Sequence, residues 1–579
     1  MARSAVNNQT LTERLALLTP EQQGLLRQRL ADQTVNGHEL IALSLKKLGV
    51  THVYCVTGIP VHGTLAACSK TGIRIIGVRH QQAAVMMALA QNYVEGRMIA
   101  VAIFSPGPAI TNAITGILIA KDNCWPILVI GGTTPLSMKG MGCFQEFDAV
   151  PVMQPITKWS ALISLVEDIP ETIENAFKIS TSGRYGPVYL EIPEDVLTAK
   201  SPRSIFDSVL MSKEETPSLN LDLIRAAGEI LLSARRPLII IGKSIRWSNA
   251  HEEIRLLSDK FKIPFITSPM GQGYLPDDHL YCFNTDRSYI QQCADAVITV
   301  GARLNWTFRY GSELNSQAKI IQIDADEKEL GKNISPLVAV AGDIKHILKK
   351  LLVQMNQIQN QYSREDTIDS WFAGLENRRV EKLAKLQQEG IETSIPMSPL
   401  TLMRELRDFL PKDTIYILDG NVCMAAAQKI IPSYFPASRL TAGTNGCMGG
   451  GVPFGIGAKL SQPNRPTVVI SGDFAFGLNG MEMETAVRYN VPVIVILANN
   501  SGATGALIQN AYYPKGHEPV SLFNQDIRYD QMVEALGGHG EYVLDPKELI
   551  PALKRSMASG KASLINVIVD PAAPLYSRL

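Results

Sequence analysis

The stretch from Thr467 to Gly502 constrains this chain most. An apolar run, Thr467–Ile470, ends in Gly472-Asp473. A helical pattern follows, starting near Leu478, with Met481, Glu484, Thr485 and Arg488 before Pro492. A second apolar, β-branched run, Val491–Leu497, ends in Asn499-Asn500. The order predicts strand, helix, strand, the unit of a parallel sheet. Both polar ends fall at strand C-termini, where open α/β sheets bind ligands.

Asp473 and Asn500 are 27 residues apart, yet the ends of neighbouring strands lie close in space. A carboxylate and an amide oxygen, with a backbone carbonyl just beyond, suit a hard cation such as Mg²⁺. That ion takes few protein oxygens and completes its octahedron with phosphate and water. Gly472 and the following helix start let backbone N–H groups approach an anion. The stretch therefore reads as a Mg²⁺ and diphosphate site. An ordinary strand–helix–strand unit would account for Gly-Asp alone; Asn-Asn at this distance favours the ligand site.

The segment from Gly472-Asp473 to Asn499-Asn500 resembles the cofactor signature of thiamine-diphosphate enzymes. Phe474 departs from it, since the family usually carries glycine or a small residue there. Composition fits a large enzyme: 579 residues, 46% apolar and 19% charged, with zero net charge. That is enough for about three or four domains, and it suggests neither a nucleic-acid nor an anionic-membrane partner. The apolar runs are interrupted by Gly, Pro or charge, so no membrane span is expected. The first residues are not those of a secretory signal. Eight cysteines, scattered without C-x-x-C pairs, read as reduced residues of a cytoplasmic protein.

Taken in order, residues 1–36 form a helical N-terminal extension. Thr19 can cap a helix with Pro20 at its first position and Gln22 and Gln23 in the first turn. Its pattern resembles docking helices of modular synthetases, which implies a carrier-protein or synthetase partner; a tail packed on its own domain is the other reading. Residues 37–198 alternate strands with helices. The strands Val53–Val56, Ile73–Val78, Ile99–Phe104, Ile127–Gly131 and Gly186–Pro193 argue for a doubly wound parallel sheet. Residues 199–218 read as a polar linker. Residues 219–355 form a Rossmann-like central domain around Pro237–Ile241, Ala296–Val300 and Ile320–Asp324. Residues 356–395 connect it to a third α/β domain, 396–579, whose first strand, Thr414–Leu418, runs into Asp419-Gly420-Asn421-Val422. The fold class is thus α/β, with three doubly wound parallel-sheet domains: pyrimidine-binding, central and diphosphate-binding.

The first domain resembles the pyrimidine-binding domain of the acetolactate-synthase and oxalyl-CoA-decarboxylase branch. The resemblance implies that Gly58, Pro60, Asn112, Asn421, Val422, Gly446, Met448, Gly472, Asp473, Phe474, Ala475, Asn500, Gly502 and Ala503 bind cofactor. It implies that Asp473, Asn500 and Gly502 hold the metal. Met448 would be the apolar wedge that bends thiamine diphosphate, and Gln145 would face substrate. Relatives carry FAD, ADP or nothing in the central domain, so a nucleotide at Arg303 and Asp324 and a purely structural domain both stay open.

One departure bears on catalysis. The family usually places a glutamate directly after the histidine of the R-H-x-Q segment, where its carboxyl group shares a proton with N1′ of the aminopyrimidine. Here the segment is Arg79-His80-Gln81-Gln82. Gln81 can hydrogen-bond N1′ but exchanges no proton with it at neutral pH. Losing such a group typically costs about 10²–10⁴ in rate. A smaller departure, Asn500 to Ala506, replaces the bulkier residues of many relatives. The chain also stops at Leu579 without the long lid tail of the oxalyl-CoA enzymes.

These features lead us to expect a Mg²⁺-dependent decarboxylase or carboligase, assembled as a homodimer or homotetramer. It would act on a 2-oxo acid such as pyruvate and transfer the acyl group to an acceptor, in natural-product assembly by the hint of the N-terminal helices. A catalytically silent cofactor-binding subunit and a 2-hydroxyacyl-CoA lyase-like enzyme are the alternatives.

Overall fold

Runs of Val, Ile and Leu with no polar face can be buried only between two layers of helices, and each run named above is such a strand. The computed structural model describes residues 18–24, 34–208, 219–362, 365–391, 394–503, 513–514, 516–517, 519–525 and 527–573. The first sheet has six parallel strands in the spatial order Arg74–Gly77, His52–Val56, Ala100–Phe104, Ile127–Thr133, Pro187–Pro193, Trp159–Leu162. The last sheet runs Arg439–Leu440, Ile415–Asp419, Thr467–Gly472, Ile494–Asn499, Ser563–Ile568, His539–Val543. Taken in chain order, the strands of both sheets follow 2-1-3-4-6-5, so one topology is used twice. The central sheet has five parallel strands, Phe265–Thr267, Pro237–Ile241, Ala296–Val300, Lys319–Asp324 and Val338–Ala341. A short antiparallel ribbon joins Thr34–Asn36 to Lys200–Pro202.

The first and last sheets share one core. At its centre the helix Gln81–Glu95 packs on the helix Gly451–Ser461. The approach is close enough that a Cβ on Gly457 would stand 2.2 Å from the Met87 carbonyl oxygen, which explains the run of small residues in the second helix. The polar segment after residue 356 holds the helix Glu365–Gln388, whose Trp371 and Leu375 are buried in a core of the central sheet.

Two expectations are corrected. The helix after the Gly-Asp pair starts at Asp473, not near Leu478: Asp473–Asn479 is one helix and Glu482–Arg488 a second. Eight strands among the described residues were not anticipated: the two of the antiparallel ribbon, Thr34–Asn36 and Lys200–Pro202, the interior strand Ser563–Ile568, and five at sheet edges, Trp159–Leu162, Phe265–Thr267, Val338–Ala341, Arg439–Leu440 and His539–Val543. These edge strands run only two to five residues, too short for the continuous apolar signal of the interior ones.

Thr19 and Gln22 exchange capping bonds, Gln22 N to Thr19 Oγ1 at 3.2 Å and Thr19 N to Gln22 Oε1 at 3.0 Å. The remainder of the expected N-terminal helices, the substituted segment from Thr504 to Ala506 and the last residues, Leu575–Leu579, lie outside the described residues. Among the described residues no helix is long and apolar enough to cross a membrane.

Candidate active site

The strands Thr467–Gly472 and Ile494–Asn499 are direct neighbours, with Gly472 opposite Ala498. This register brings Asp473 and Asn500 together. Asp473 is 1% exposed. Its Oδ1 accepts from Phe474 N at 2.8 Å and its Oδ2 from Gly502 N at 2.8 Å. Burial pushes this carboxyl up to about 6, against the pull of the backbone N–H groups. A bound cation would reverse that, because its own charge dominates the local field.

The terminal atom of the Asn500 amide nearest the carboxylate lies 2.9 Å from the Gly502 carbonyl oxygen and 3.2 Å from Asp473 Oδ1. With nitrogen there, it donates to both. With oxygen there, it stands from the other two oxygens at about the spacing of adjacent corners of an octahedron with bonds of about 2.0–2.1 Å, roughly 2.9 Å. The residues present therefore fit a small divalent cation. Ser501 has φ +57° and Gly502 φ +155°. A Cβ on Gly502 would stand 2.5 Å from the Ser521 carbonyl oxygen, so the carbonyl that completes the trio depends on glycine. Asn499 is different: its buried amide donates to Asn566 Oδ1 at 3.1 Å and serves the sheet.

Beside the trio lies a cavity of about 160 Å³. Asn421, Val422, Met448, Gly472, Asp473, Phe474, Ala475, Asn500, Gly502 and Ala503 all line it. The helix Asn421–Ile430 begins at its wall, so the positive end of the helix faces the cavity and would favour an anion there. The unusual Phe474 ring stacks on Phe523, with centroids 5.7 Å apart and planes within 8°. Asp419 does not line the cavity. Its carboxylate accepts from Gly449 N at 3.1 Å and Gly451 N at 2.7 Å, and so holds the loop that carries Met448. Gly446 sits at the start of that loop with φ +71° and is not part of the cavity wall.

The first-sheet residues form a separate group. Gln81 is the first residue of its helix and His80 the N-cap, with Nδ1 accepting from Gln82 N at 3.2 Å. Burial lowers the pKa of His80. Asn112 Nδ2 donates to Gln81 Oε1 at 3.1 Å. Gly58 and the cis Ile59–Pro60 peptide follow the strand His52–Val56. Gln145 has φ +58°, a left-handed backbone at a side chain expected to face substrate. Such strained residues concentrate at functional sites. Within one chain, the described lining of the 160 Å³ cavity contains none of these residues.

A larger cavity of about 350 Å³ lies where the central sheet meets the last one, lined among others by Lys243, Arg287, Arg303, Trp306, Met424 and Thr444. Lys243 Nζ donates to the Asp122 carbonyl oxygen at 2.8 Å and to Asn123 Oδ1 at 2.9 Å; burial brings its pKa down to about 7. Arg303 also donates to the Asp122 carbonyl. Arg303 and Asp324 share an adjoining cavity of about 150 Å³, and burial pushes the Asp324 carboxyl up to about 6.

Two similar parallel sheets flanking a third, with a cation-sized oxygen trio at a strand crevice, define a cofactor-dependent α/β enzyme. The family models agree throughout the chain: thiamine pyrophosphate enzyme, N-terminal TPP binding domain, over residues 35–152; central domain over 224–351; and C-terminal TPP binding domain over 419–567. The chain belongs to the thiamine pyrophosphate enzyme family. It is similar to 2-hydroxyacyl-CoA lyase 1 of Homo sapiens, 34% identical over 94% of this chain and 96% of the relative. It is 32% identical to oxalyl-CoA decarboxylase of Escherichia coli, over 93% of this chain and 96% of the relative. It is 31% identical to the large subunit of an acetolactate synthase of Mycobacterium tuberculosis, again over 93% and 96%. The chain is a thiamine-diphosphate-dependent enzyme with lyase, decarboxylase and synthase relatives.

Proposed function

We propose that this enzyme makes or breaks a carbon–carbon bond next to a carbonyl group, using thiamine diphosphate held through Mg²⁺. The observation that carries the reading is the oxygen trio of Asp473, Asn500 and Gly502 beside the start of the helix Asn421–Ile430. When bound, thiamine diphosphate supplies the electron sink that lets such a bond break. The chain supplies the rest. Asp473 gives the one negative protein ligand, the Asn421–Ile430 helix start receives the diphosphate, and Met448 is the apolar wedge. Gln81, fixed by Asn112, meets N1′ as an amide, and Gln145 faces substrate from a strained backbone.

The donor in this reading is a 2-oxo acid such as pyruvate, and the acceptor a second carbonyl compound. Cleavage of a 2-hydroxyacyl-CoA is the second reading. It is supported by the near full-length similarity to a lyase of that name and by the cationic cavity between the central and last sheets, which suits an anionic tail. The pairing of Arg303 with Asp324 in one cavity supports a nucleotide in the central domain. Carbon dioxide release from a panel of 2-oxo acids, against aldehyde release from 2-hydroxyacyl-CoA thioesters, separates the two readings.

Asp473→Ala tests the site itself. Calorimetric titration with thiamine diphosphate and Mg²⁺ is expected to show binding lost, because no anionic protein ligand of the ion remains. Unchanged affinity would sink the assignment.

A further inference from the structure

The segment Gly77–His80 leads into Gln81, and residues of the last domain hold it. Arg74–Gly77 is the edge strand of the first sheet, so the N–H and C=O of Gly77 have no strand partner on the outer side. Tyr489 and Arg488 provide one: Gly77 N donates to Tyr489 Oη at 2.8 Å, and Arg488 Nη2 donates to the Gly77 carbonyl at 2.8 Å. The next two N–H groups converge on one carboxylate. Glu482 Oε1 accepts from His80 N at 3.0 Å and Arg79 N at 3.1 Å. Thr485 Oγ1 donates to Glu482 Oε2 at 2.6 Å and fixes the carboxylate from behind. Glu482 is 1% exposed.

We propose that Glu482 is a positioning residue for Gln81, setting the place of the helix start from which that side chain reaches N1′ of the cofactor. This rests on the reading of Gln81 given above. Arg79 N also lies 3.3 Å from Glu482 Oε2, so both carboxylate oxygens face donors: Oε1 the two N–H groups, Oε2 Arg79 N and the Thr485 hydroxyl. A glutamine at 482 keeps one oxygen for the two N–H groups, but its N–H₂ group stands where Oε2 accepts, opposed to the Arg79 N–H. A carboxylate beside the first turn of Gln81–Glu95 is also favoured by the positive helix end. Burial raises the pKa of Glu482, against the pull of Thr485 and the two N–H groups. The same carboxylate joins two domains: Asp473 stands nine residues before it in the last domain, and Gln81 follows its partners in the first. Neither Glu482 nor its partners touch the cavity, so its action is through Gln81 and not on the cofactor.

The test uses the whole protein and four variants: Gln81→Glu, Glu482→Gln, both together, and Thr485→Val. In the cofactor-free protein, amide hydrogen exchange of peptides spanning residues 77–82 is expected to speed up at least tenfold in Glu482→Gln and less in Thr485→Val. With thiamine diphosphate and Mg²⁺ bound, proton exchange at C2 is expected to rise about tenfold or more in Gln81→Glu, at the low end of what a positioned acid–base group supplies. That gain is expected to shrink by about tenfold in the Glu482→Gln background, while a merely structural role would leave the ratio unchanged. An equal gain in both backgrounds overturns the inference alone. No gain from Gln81→Glu in either overturns the assignment of Gln81 and the inference with it. If Glu482→Gln does not fold, Gln81→Glu in the Thr485→Val background decides the same question, with a smaller loss of gain supporting it and none overturning it.

Discussion

Asp419 closes the strand Ile415–Asp419 and uses both carboxylate oxygens on the loop of Met448, Oδ2 on Gly449 N and Gly451 N and Oδ1 on Gly449 N at 3.3 Å. Its burial pushes the carboxyl from the ordinary aspartate value up to about 6, while the N–H groups of Gly451, Gly449 and Gly420 pull it down. The native state therefore keeps a proton that the unfolded chain has already released. Between about pH 4 and 6 the folded protein binds more protons than the unfolded one, so stability falls as pH rises through that window. A rise of this size corresponds to at most about 3 kcal/mol. Asp419→Asn removes this dependence. Urea unfolding of the cofactor-free protein at pH 4.5 and 6.5 is expected to show a smaller pH effect in the variant than in the wild type. Asp324 and Asp473 shift in the same direction in both proteins, so the difference between them isolates Asp419. The identity of Asp419 was legible in the sequence but its task was not. In Asp-Gly-Asn-Val it reads as part of a diphosphate loop, and only the fold shows its acceptors turned to a loop 30 residues away.

Most interior strands were legible because fully buried parallel strands carry continuous apolar runs; Ser563–Ile568, broken by Ser563 and Asn566, was missed, and of the edges only Arg74–Gly77 was read. The pair Asp473 and Asn500 was legible because two strand ends in a strand–helix–strand unit must be neighbours. A backbone carbonyl just beyond Asn500 was expected from the residues, and its place at Gly502 came from the family resemblance. Glu482 carried no signal, since nothing local distinguishes it from Glu484 on the exposed side of the same short helix. The packing of Gln81–Glu95 on Gly451–Ser461 is where element-scale energetics concentrate. Gly457→Ala adds a methyl where only 2.2 Å separates it from the Met87 carbonyl oxygen. Overpacking of this kind costs about 1–3 kcal/mol. Scanning calorimetry should therefore show a lower unfolding temperature for Gly457→Ala. Gly477→Ala, whose added Cβ meets nothing within 4 Å, should leave the temperature near the wild-type value.

At the scale of the molecule, the two groups of site residues within one chain do not share a cavity. The diphosphate group lies on the last sheet, and Gln81, Asn112 and Gln145 on the first. A cofactor with a pyrimidine at one end and a diphosphate at the other needs both groups, which a second copy can bring. In a two-fold dimer, the first domain of one protomer would then face the last domain of its partner, and each dimer would hold two centres. Asp473→Ala disables the diphosphate end of a protomer. Gln81→Trp fills the pyrimidine end of a protomer with a ring at an accessible first helix position. Each variant alone has no intact centre. Co-expressed with different tags, the two yield mixed dimers in which one centre combines the good first domain of one with the good last domain of the other. The second centre combines both defects. Random pairing makes half of all dimers mixed, with one good centre in two, so about a quarter of the wild-type number of sites is expected to return by the symmetry of the pair. Calorimetric stoichiometry with thiamine diphosphate and Mg²⁺ reads this without any knowledge of the substrate. If each centre were built within one chain, every protomer would carry a defect, and the mixture would bind no cofactor at all.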